Sequence, residues 1–192
     1  ALDGLRYSNS FVFNKLLGWK GILVESNPGN FRKLRLKRPF DYLVNSPVCS
    51  EGSVHVVNRG AIGGVVEFMS PRFLERWHRK LNLTRLPTVP CKPLHAILLE
   101  SNTTYVDFFS LDVEGGELAV LNTIDFTNVE FGVVLVESDG SNPEKERGVR
   151  VLFHAHGYVQ LFERARSVWF INPRFAHVYS NTNRVIHQGP QI

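Results

Sequence analysis

Hydrophobic and polar positions along this chain form blocks that predict strands and helices in turn. Short runs rich in β-branched residues alternate with stretches whose apolar residues recur every three or four positions, which is helical periodicity. The predicted elements of the first part are, in order, a helix over 9–17, a strand over 21–25, a helix over 30–36 and a strand over 41–44. Such alternation favours parallel pairing of the strands.

Residues 53–90 interrupt this alternation and predict an insertion. A hairpin of 54–57 with 65–68, across three glycines, precedes a helix over 72–81. The elements predicted after it are a helix over 94–99, a strand over 105–111, a helix from 116, a strand over 131–137, a helix over 143–154, and strands over 158–163 and 167–171. Together they predict an α/β domain over 1–175, with a mostly parallel sheet that ends in an antiparallel hairpin. Residues 176–192 are predicted to be an irregular tail.

Composition fits one globular domain. The chain has 192 residues, of which 43% are hydrophobic, enough for a sizeable core. No apolar run approaches the roughly 20 residues that span a bilayer, and no signal-peptide pattern opens the chain. Residue 1 is Ala rather than Met, so we expect an upstream segment to be missing. Cytoplasmic and endomembrane or lumenal locations both stay open, and the oligomeric state is not predicted.

The charge pattern gives little support for nucleic-acid binding. The formal net charge is +4, and five cations are concentrated in one run: Arg32, Lys33, Arg35, Lys37 and Arg38. Because this run follows a helix start at Asn27 and Pro28, we interpret it as a solvated helix end whose cations complement the helix dipole. A small-molecule partner is therefore favoured over nucleic acid.

The two cysteines, Cys49 and Cys91, are too few for a disulfide scaffold and do not have the spacing of a zinc site. Buried free thiols are the simplest expectation. Two glycosylation acceptor triplets begin at Asn82 and Asn102, but such triplets are common by chance. With a possible bridge between the cysteines, they leave a lumenal location open.

The stretch SLDVEGGELAVL, residues 110–121, has the strongest chemical signal. Asp112 is predicted at the carboxyl end of a strand, where open α/β sheets bind ligands. Glu114 lies beside it, and a glycine pair allows a tight turn or close approach of a ligand. Glu117 falls in the first helical turn, where its charge suits the helix dipole, so a capping role and a ligand role stay equally open.

A second half of the same cleft is predicted near the start of the chain. Asp3 and Gly4 read as a loop after a strand, and Glu25 ends the next strand 21 residues after Gly4. A glycine that lets a ligand approach, followed by an acid that accepts bonds from ribose hydroxyls, is typical of nucleotide sites.

A metal centre is not assigned. The acids Asp112, Glu114, Glu137 and Asp139 could face one cleft and offer oxygen ligands, but their spacing matches no standard metal motif. His78 is an alternative base, although a histidine beside a tryptophan more often packs than reacts.

Several segments together resemble the FkbM-type methyltransferase domain, particularly its branch that includes Star-like proteins. The segments are ALDGLRYSN, GWKGILVESNP, VNSPVCS, VPCKPLHAIL, FFSLDVEGGELAVL and VVLVESDGSNPEK. The resemblance spans residues 1 to about 175. It implies a class I, Rossmann-like fold, S-adenosylmethionine as cofactor, and O-methylation of a sugar or other small hydroxylated acceptor.

The resemblance also implies roles for individual residues. Leu2, Asp3 and Gly4 belong to the loop near the methionine moiety, and Glu25, followed by Ser26, would bind the ribose. Pro47, Val48 and Cys49 would flank the adenine, while Asp112 would lie near the sulfonium and the acceptor, with Glu114 beside it as the second catalytic candidate.

The family has a strand and an earlier acid and glycine upstream of the first segment, and these are absent here. We therefore expect the first strand of the sheet to be missing and cofactor binding to be weakened. Two other functions stay open: a methyltransferase-like interaction module without turnover, in a secretory-pathway protein, and a dinucleotide-binding domain for hydride transfer. The absence of a full G-x-G-x-x-G pattern disfavours the latter.

Overall fold

The structure, a computed structural model, describes residues 1–50 and 52–180. The fold is α/β, and its strands form three separate sheets. The helices are α1 (Phe11–Leu17), α2 (Pro28–Lys37), α3 (Pro71–Trp77), α4 (Leu94–Glu100), α5 (Glu117–Leu121), α6 (Pro143–Ala155) and α7 (Ala176–Ser180). The strands are β1 (Ile22–Val24), β2 (Tyr42–Val44), β3 (Ser53–Val57), β4 (Gly64–Val65), β5 (Thr88–Pro90), β6 (Tyr105–Leu111), β7 (Glu130–Glu137), β8 (Val159–Arg164) and β9 (Ser167–Ile171).

The largest sheet has the strand order β6, β7, β9, β8 and carries the main core. β6 and β7 are parallel, whereas β7 with β9 and β9 with β8 are antiparallel. Phe131, Phe153 and Phe170 are almost fully buried, and Phe153 stacks on Phe170 at 4.6 Å between ring centroids. The predicted antiparallel hairpin at the end of the domain is confirmed.

The smallest sheet is the parallel pair β1 and β2, connected by α2. Asn27 caps α2, because its side-chain oxygen accepts bonds from two backbone N–H groups of the first turn, and Pro28 fits the first helical position. Ile22 and Val24 of β1 and Val44 of β2 pack against the main core. The pair is therefore held by side-chain packing rather than by a shared ladder.

The prediction of one mostly parallel sheet is wrong for the described residues. β1 pairs with β2 alone and β6 pairs with β7 alone within residues 1–50 and 52–180, and an open cavity separates these two strands. Helix α1 crosses near this gap, where Phe13 contacts Phe108 of β6 at 4.9 Å between ring centroids. Local periodicity predicted β1, β2, β6 and β7 correctly but does not encode which edges meet.

The predicted insertion forms a small antiparallel sheet in which β3 pairs with both β4 and β5. The second hairpin arm is shorter than predicted, because residues 66–68 form a 3-10 turn. The helix predicted over 72–81 ends at Trp77. A disulfide joins Cys49 to Cys91 and closes the base of the insertion, so the expectation of free thiols is wrong.

Two surface predictions also need correction. Arg38 is not solvated: it is 2% exposed and pairs with the equally buried Asp41 at 2.6 Å. Residues 176–180, predicted to be irregular, form a short helix, and residues 181–192 lie outside the described part of the chain. Within that part, the helices are all too short or too polar to cross a bilayer.

Candidate functional site

A cavity of about 1350 Å³ is lined by β1 and β6 and includes residues at their carboxyl ends. It brings together residues from both predicted halves of the cleft. The predicted site residues that line it are Leu2, Glu25, Ser26, Val48, Asp112 and Glu114. Asp3, Gly4, Pro47 and Cys49 do not line it. Leu2, Glu25 and the acidic turn of 110–121 therefore meet at one concave region, as strand ends at one edge should.

The acidic turn is built by positive backbone angles and by contact with the insertion. Glu114 has φ +58° and Gly115 has φ +98°. A Cβ on Gly115 would lie 2.8 Å from the Phe68 carbonyl oxygen, and one on Gly116 would lie 2.4 Å from the Phe68 ring. The glycine pair thus lets the insertion pack directly on the turn, and the uncommon conformation of Glu114 is typical of a functional loop.

Lys145 fixes this contact from the first turns of α6. Its ammonium group donates to the carbonyl oxygen of Phe68 at 2.9 Å and to that of Gly115 at 2.8 Å. One cation therefore ties α6, the insertion and the acidic turn together. Sequence reasoning missed Lys145, because a lysine near the start of a helix has no local signal that identifies its partners.

Glu117 supports the turn from inside. It is 8% exposed, and its carboxylate accepts bonds from the backbone N–H groups of Val113 at 2.9 Å and Gly115 at 3.2 Å. Burial raises the pKa of Glu117 above its usual range. Of the two readings that the sequence left open, organisation of the turn is the one that these contacts support.

Asp112 and Glu137 approach each other at the ends of β6 and β7. Burial, the neighbouring charge of Asp112 and a hydrogen bond to Asp112 raise the pKa of Glu137 to about 9. Glu137 therefore holds a proton at neutral pH and donates it to the Asp112 carboxylate. Two acids so close cannot both ionise at ordinary cost.

Glu114 has an intermediate proton affinity. Its partial burial, together with the charges of Asp112 and Glu117, raises its pKa to about 7. Near neutral pH the side chain is divided between the carboxylate and the carboxylic acid. A group of this kind in a cavity suits general acid and base chemistry.

Arg166 places a positive charge at the rim of the acids. It lies in the hairpin turn between β8 and β9, where both Ala165 and Arg166 have positive φ. Its guanidinium donates to Glu137 at 3.1 Å and to Asp139 at 2.9 Å. Sequence reasoning identified the hairpin between β8 and β9 but not the contact of Arg166 with the acids. That contact depends on the register of β9 with β7, which brings residue 166 close to Glu137.

Three acids are arranged so that they could hold a cation. One oxygen each of Asp112, Glu117 and Glu137 lies within 4.8 Å of the others. The group differs from the four acids considered from sequence, because it includes Glu117 and omits Glu114 and Asp139. Carboxylate oxygens suit Mg²⁺ or Ca²⁺. However, the proton on Glu137 and the backbone N–H bonds to Glu117 already reduce the electrostatic repulsion among the three acids.

Glu25, on the other side of the cavity, is held by backbone donors. Its side chain is buried, and it accepts bonds from the Leu2 N–H at 2.6 Å, the Asn27 N–H at 2.8 Å and the Ala1 amino group at 3.3 Å. Asn45 donates to its backbone carbonyl at 2.7 Å. These contacts fix the carboxylate at the strand end.

Gly4 is required by packing beside this carboxylate. It has φ +79°, and a Cβ there would lie 2.6 Å from Leu34 and 2.7 Å from Arg38. Asp3 turns away and pairs with Lys37 at 2.6 Å. The bond from Lys37 and two backbone N–H groups lower the pKa of Asp3 to about 2. In this structure Asp3 and Gly4 shape the loop, while Leu2 lines the cavity.

The remaining candidates lie outside the cavity or serve its wall. Cys49 is consumed in the disulfide, whereas Val48 beside it faces the cavity. His78 is buried, and its ring nitrogen lies 2.9 Å from the Ile62 carbonyl within the insertion. The packing role expected for a histidine beside a tryptophan therefore fits its contacts.

Comparison with known proteins supplies a family. Residues 1–160 match the model of the methyltransferase FkbM domain. No curated protein and no solved structure matches the chain. The matched segment includes every predicted site residue from Leu2 to Glu114, as well as the acids at the end of β7.

Proposed function

Because this chain belongs to the FkbM methyltransferase family, we propose that it transfers a methyl group from S-adenosylmethionine to a hydroxyl oxygen. The proposed acceptor is a sugar or another small hydroxylated molecule. The observation that carries this proposal is the single cavity with a fixed carboxylate on one side and titratable acids on the other.

Glu25 fits the cofactor because its side chain can still accept a hydrogen bond from a ribose hydroxyl. A carboxylate has about four acceptor sites, and the backbone N–H groups of Leu2 and Asn27 donate to the Glu25 side chain. Acceptor sites are therefore left for a ribose hydroxyl. The carboxylate is also held rigidly, so little ordering is needed when a ligand binds.

Of the predicted residues that line the cavity, Glu25 and Ser26 would hold the ribose, Leu2 would adjoin the methionine moiety, Val48 would adjoin the adenine and Asp112 would lie near the acceptor. When bound, S-adenosylmethionine supplies an electrophilic methyl group. The chain's own residues position the acceptor oxygen and remove its proton, which is where such an enzyme gains most of its acceleration.

Asp112 and Glu114 are the proposed catalytic residues. Glu114, with a pKa of about 7, has enough carboxylate at neutral pH to accept a hydroxyl proton. Asp112 accepts a hydrogen bond from protonated Glu137. Glu114 therefore offers an acceptor for the hydroxyl proton, and the hydrogen bond between Asp112 and Glu137 delocalises negative charge beside it.

For the fold, we propose a class I, Rossmann-like sheet with a further strand between β1 and β6. Its support is that one edge of each of these strands lines the same cavity, and that β1 with β2 and β6 with β7 are parallel. A parallel strand there would join the two sheets. The cavity volume would then be shared between this strand and the cofactor.

An interaction module without turnover is the alternative. The observation that favours it is the Cys49–Cys91 disulfide, which is typical of secretory compartments. The two functions share the fold and differ in turnover.

Calorimetric titration of the full chain with S-adenosylmethionine, then with NAD, tests the cofactor. We expect heat with the sulfonium compound and none with NAD. Glu25→Gln should weaken the binding, whereas Glu75→Gln, an exposed helix residue, should not. A folded protein that gives no heat with S-adenosylmethionine contradicts the proposal.

Mass spectrometry of methylated products across a panel of hydroxylated acceptors tests the reaction. Transfer to an acceptor hydroxyl supports the enzyme. Binding of the cofactor without transfer to any acceptor would favour the interaction module.

A further inference from the structure

We propose that Asn82 and Asn102 are acceptors for N-linked glycosylation, in a compartment that also keeps the Cys49–Cys91 disulfide oxidised. The two triplets, Asn82 to Thr84 and Asn102 to Thr104, are the only Asn-X-Ser/Thr triplets in the sequence without proline at the middle position. This inference is independent of the methyl transfer proposed above.

The first triplet is presented on an exposed turn. Asn82 and Thr84 are both exposed, and the side-chain oxygen of Asn82 accepts bonds from the Thr84 backbone N–H at 3.0 Å and from the Thr84 hydroxyl at 2.7 Å. Both bonds use the amide oxygen. The amide nitrogen, which is the atom to be modified, makes no hydrogen bond to the described part of the chain.

The second triplet lies between α4 and β6. Asn102 is exposed with φ +50°, a conformation that asparagine tolerates better than most residues. The backbone alone therefore explains an asparagine at 102, but it does not require a threonine at 104. Thr104 is exposed, and it is the Thr104 carbonyl oxygen that accepts the bond from the Glu130 N–H.

The modified side chains lie away from the acids of the candidate site. Asn82, Thr84, Asn102 and Thr104 do not line the cavity, whereas Thr103 lines it just before the start of β6. Asn102 precedes β6, whose seven residues end next to Asp112, so at about 3.3 Å per residue the two ends of the strand are roughly 20 Å apart. A glycan on Asn102 would stand at the edge of the sheet opposite the acids.

The disulfide is the second, independent observation. The chain has two cysteines, 42 positions apart, and they are bonded to each other. Such bonds persist in the secretory pathway and are rare in reducing compartments, and N-glycosylation takes place in that pathway. The same compartment therefore accounts for both features.

The chemistry requires a lipid-pyrophosphate-linked oligosaccharide as co-reactant. The amide nitrogen forms a bond to the anomeric carbon, the bond from that carbon to the pyrophosphate oxygen breaks, and the lipid pyrophosphate leaves. The amide proton passes to a base of the transferase. The side chain gains a glycan, and no oxidation or reduction occurs.

The test uses the protein isolated from the cells that make it naturally. Digestion with peptide N-glycosidase in ¹⁸O water should convert both asparagines to labelled aspartate, read by mass spectrometry, and Cys49 and Cys91 should resist alkylation until they are reduced. Unlabelled asparagine at both positions, or alkylation of the cysteines without reduction, overturns the proposal.

Variants separate modification from misfolding. Asn82→Gln and Thr84→Ala should each remove one glycan, seen as one step in gel mobility, while Thr84→Ser keeps it. Asn102→Gln and Thr104→Ser form the corresponding pair. Asn122→Gln, an exposed asparagine whose threonine follows directly, should leave mobility unchanged. A step that survives Asn82→Gln or Asn102→Gln overturns the assignment of that site.

Discussion

Glu25 and Glu137 end parallel-paired strands on opposite sides of the same cavity, yet their environments differ in kind. Glu25 faces the backbone N–H donors of Leu2 and Asn27 and is held as an acceptor. Glu137 faces Asp112 as well as the Arg166 guanidinium, and burial together with Asp112 raises its pKa to about 9. The identity of the nearest polar groups, rather than burial alone, decides whether a buried glutamate is a fixed acceptor or a proton carrier.

The comparison assigns the two sides of the cavity to different tasks. Donors around Glu25 leave it suited to bind hydroxyls. The acids at the ends of β6 and β7 are suited to accept and pass a proton. Substitutions on each side should therefore change different measurements: affinity on the Glu25 side, and turnover or pH dependence on the other.

The largest effect is expected on the acidic side. Asp112→Asn should lower the rate of methyl transfer by about 10²–10⁴-fold, since it removes a carboxylate from the proton-accepting pair. Turnover at saturating cofactor is the measurement. Asp125→Asn, in an exposed turn, is the control, and equal losses in both variants would remove Asp112 from the mechanism.

A smaller effect is expected on the Glu25 side. Glu25→Gln should weaken binding of S-adenosylmethionine by about 10–100-fold, the equivalent of losing one hydrogen bond to a charged group, with little change in turnover at saturation. Calorimetry and saturation kinetics measure the two quantities separately. A loss of turnover without a loss of affinity would reverse the assignment of the two sides.

Glu117 tests whether a buried acid within the group can be structural. Glu117→Ala should lower the free energy of unfolding by about 1–3 kcal/mol, because the N–H groups of Val113 and Gly115 lose their acceptor. Glu117→Gln, which keeps an oxygen, should cost less. Denaturant unfolding provides the values, and indistinguishable alanine and glutamine variants would contradict the contact.

Glu137 should show the clearest dependence of stability on pH. Its pKa in the folded chain, about 9, exceeds its ordinary value of 4.5, so the folded state binds more protons and stability falls as pH rises between these values. Glu137→Gln should flatten that decline and raise the free energy of unfolding at pH 8 by at least about 1 kcal/mol. Unfolding curves at pH 5 and pH 8 measure it, with Glu75→Gln as control. A steeper decline in the glutamine variant would refute the shared proton.

The sequence predicts those residues of the cleft that lie at the ends of strands. Asp112 and Glu25 each follow a short apolar run, and strand ends gather at one edge of a parallel arrangement. The roles of Lys145 and Arg166 were not predictable in this way. Each acts across a long stretch of chain, from Lys145 to Phe68 and from Arg166 to Glu137, and no local pattern encodes such pairs.

The sequence by itself determined most of the strands and helices, the terminal hairpin and the family, although it missed the short strand β5. Local periodicity and turn chemistry are properties of neighbouring residues, and they survive without knowledge of the fold. Tertiary structure alone decided that the strands separate into three sheets, that Arg38 is buried with Asp41, and that the cysteines bond. It also decided which acid holds a proton, because a pKa depends on burial and on charges brought near from distant parts of the chain.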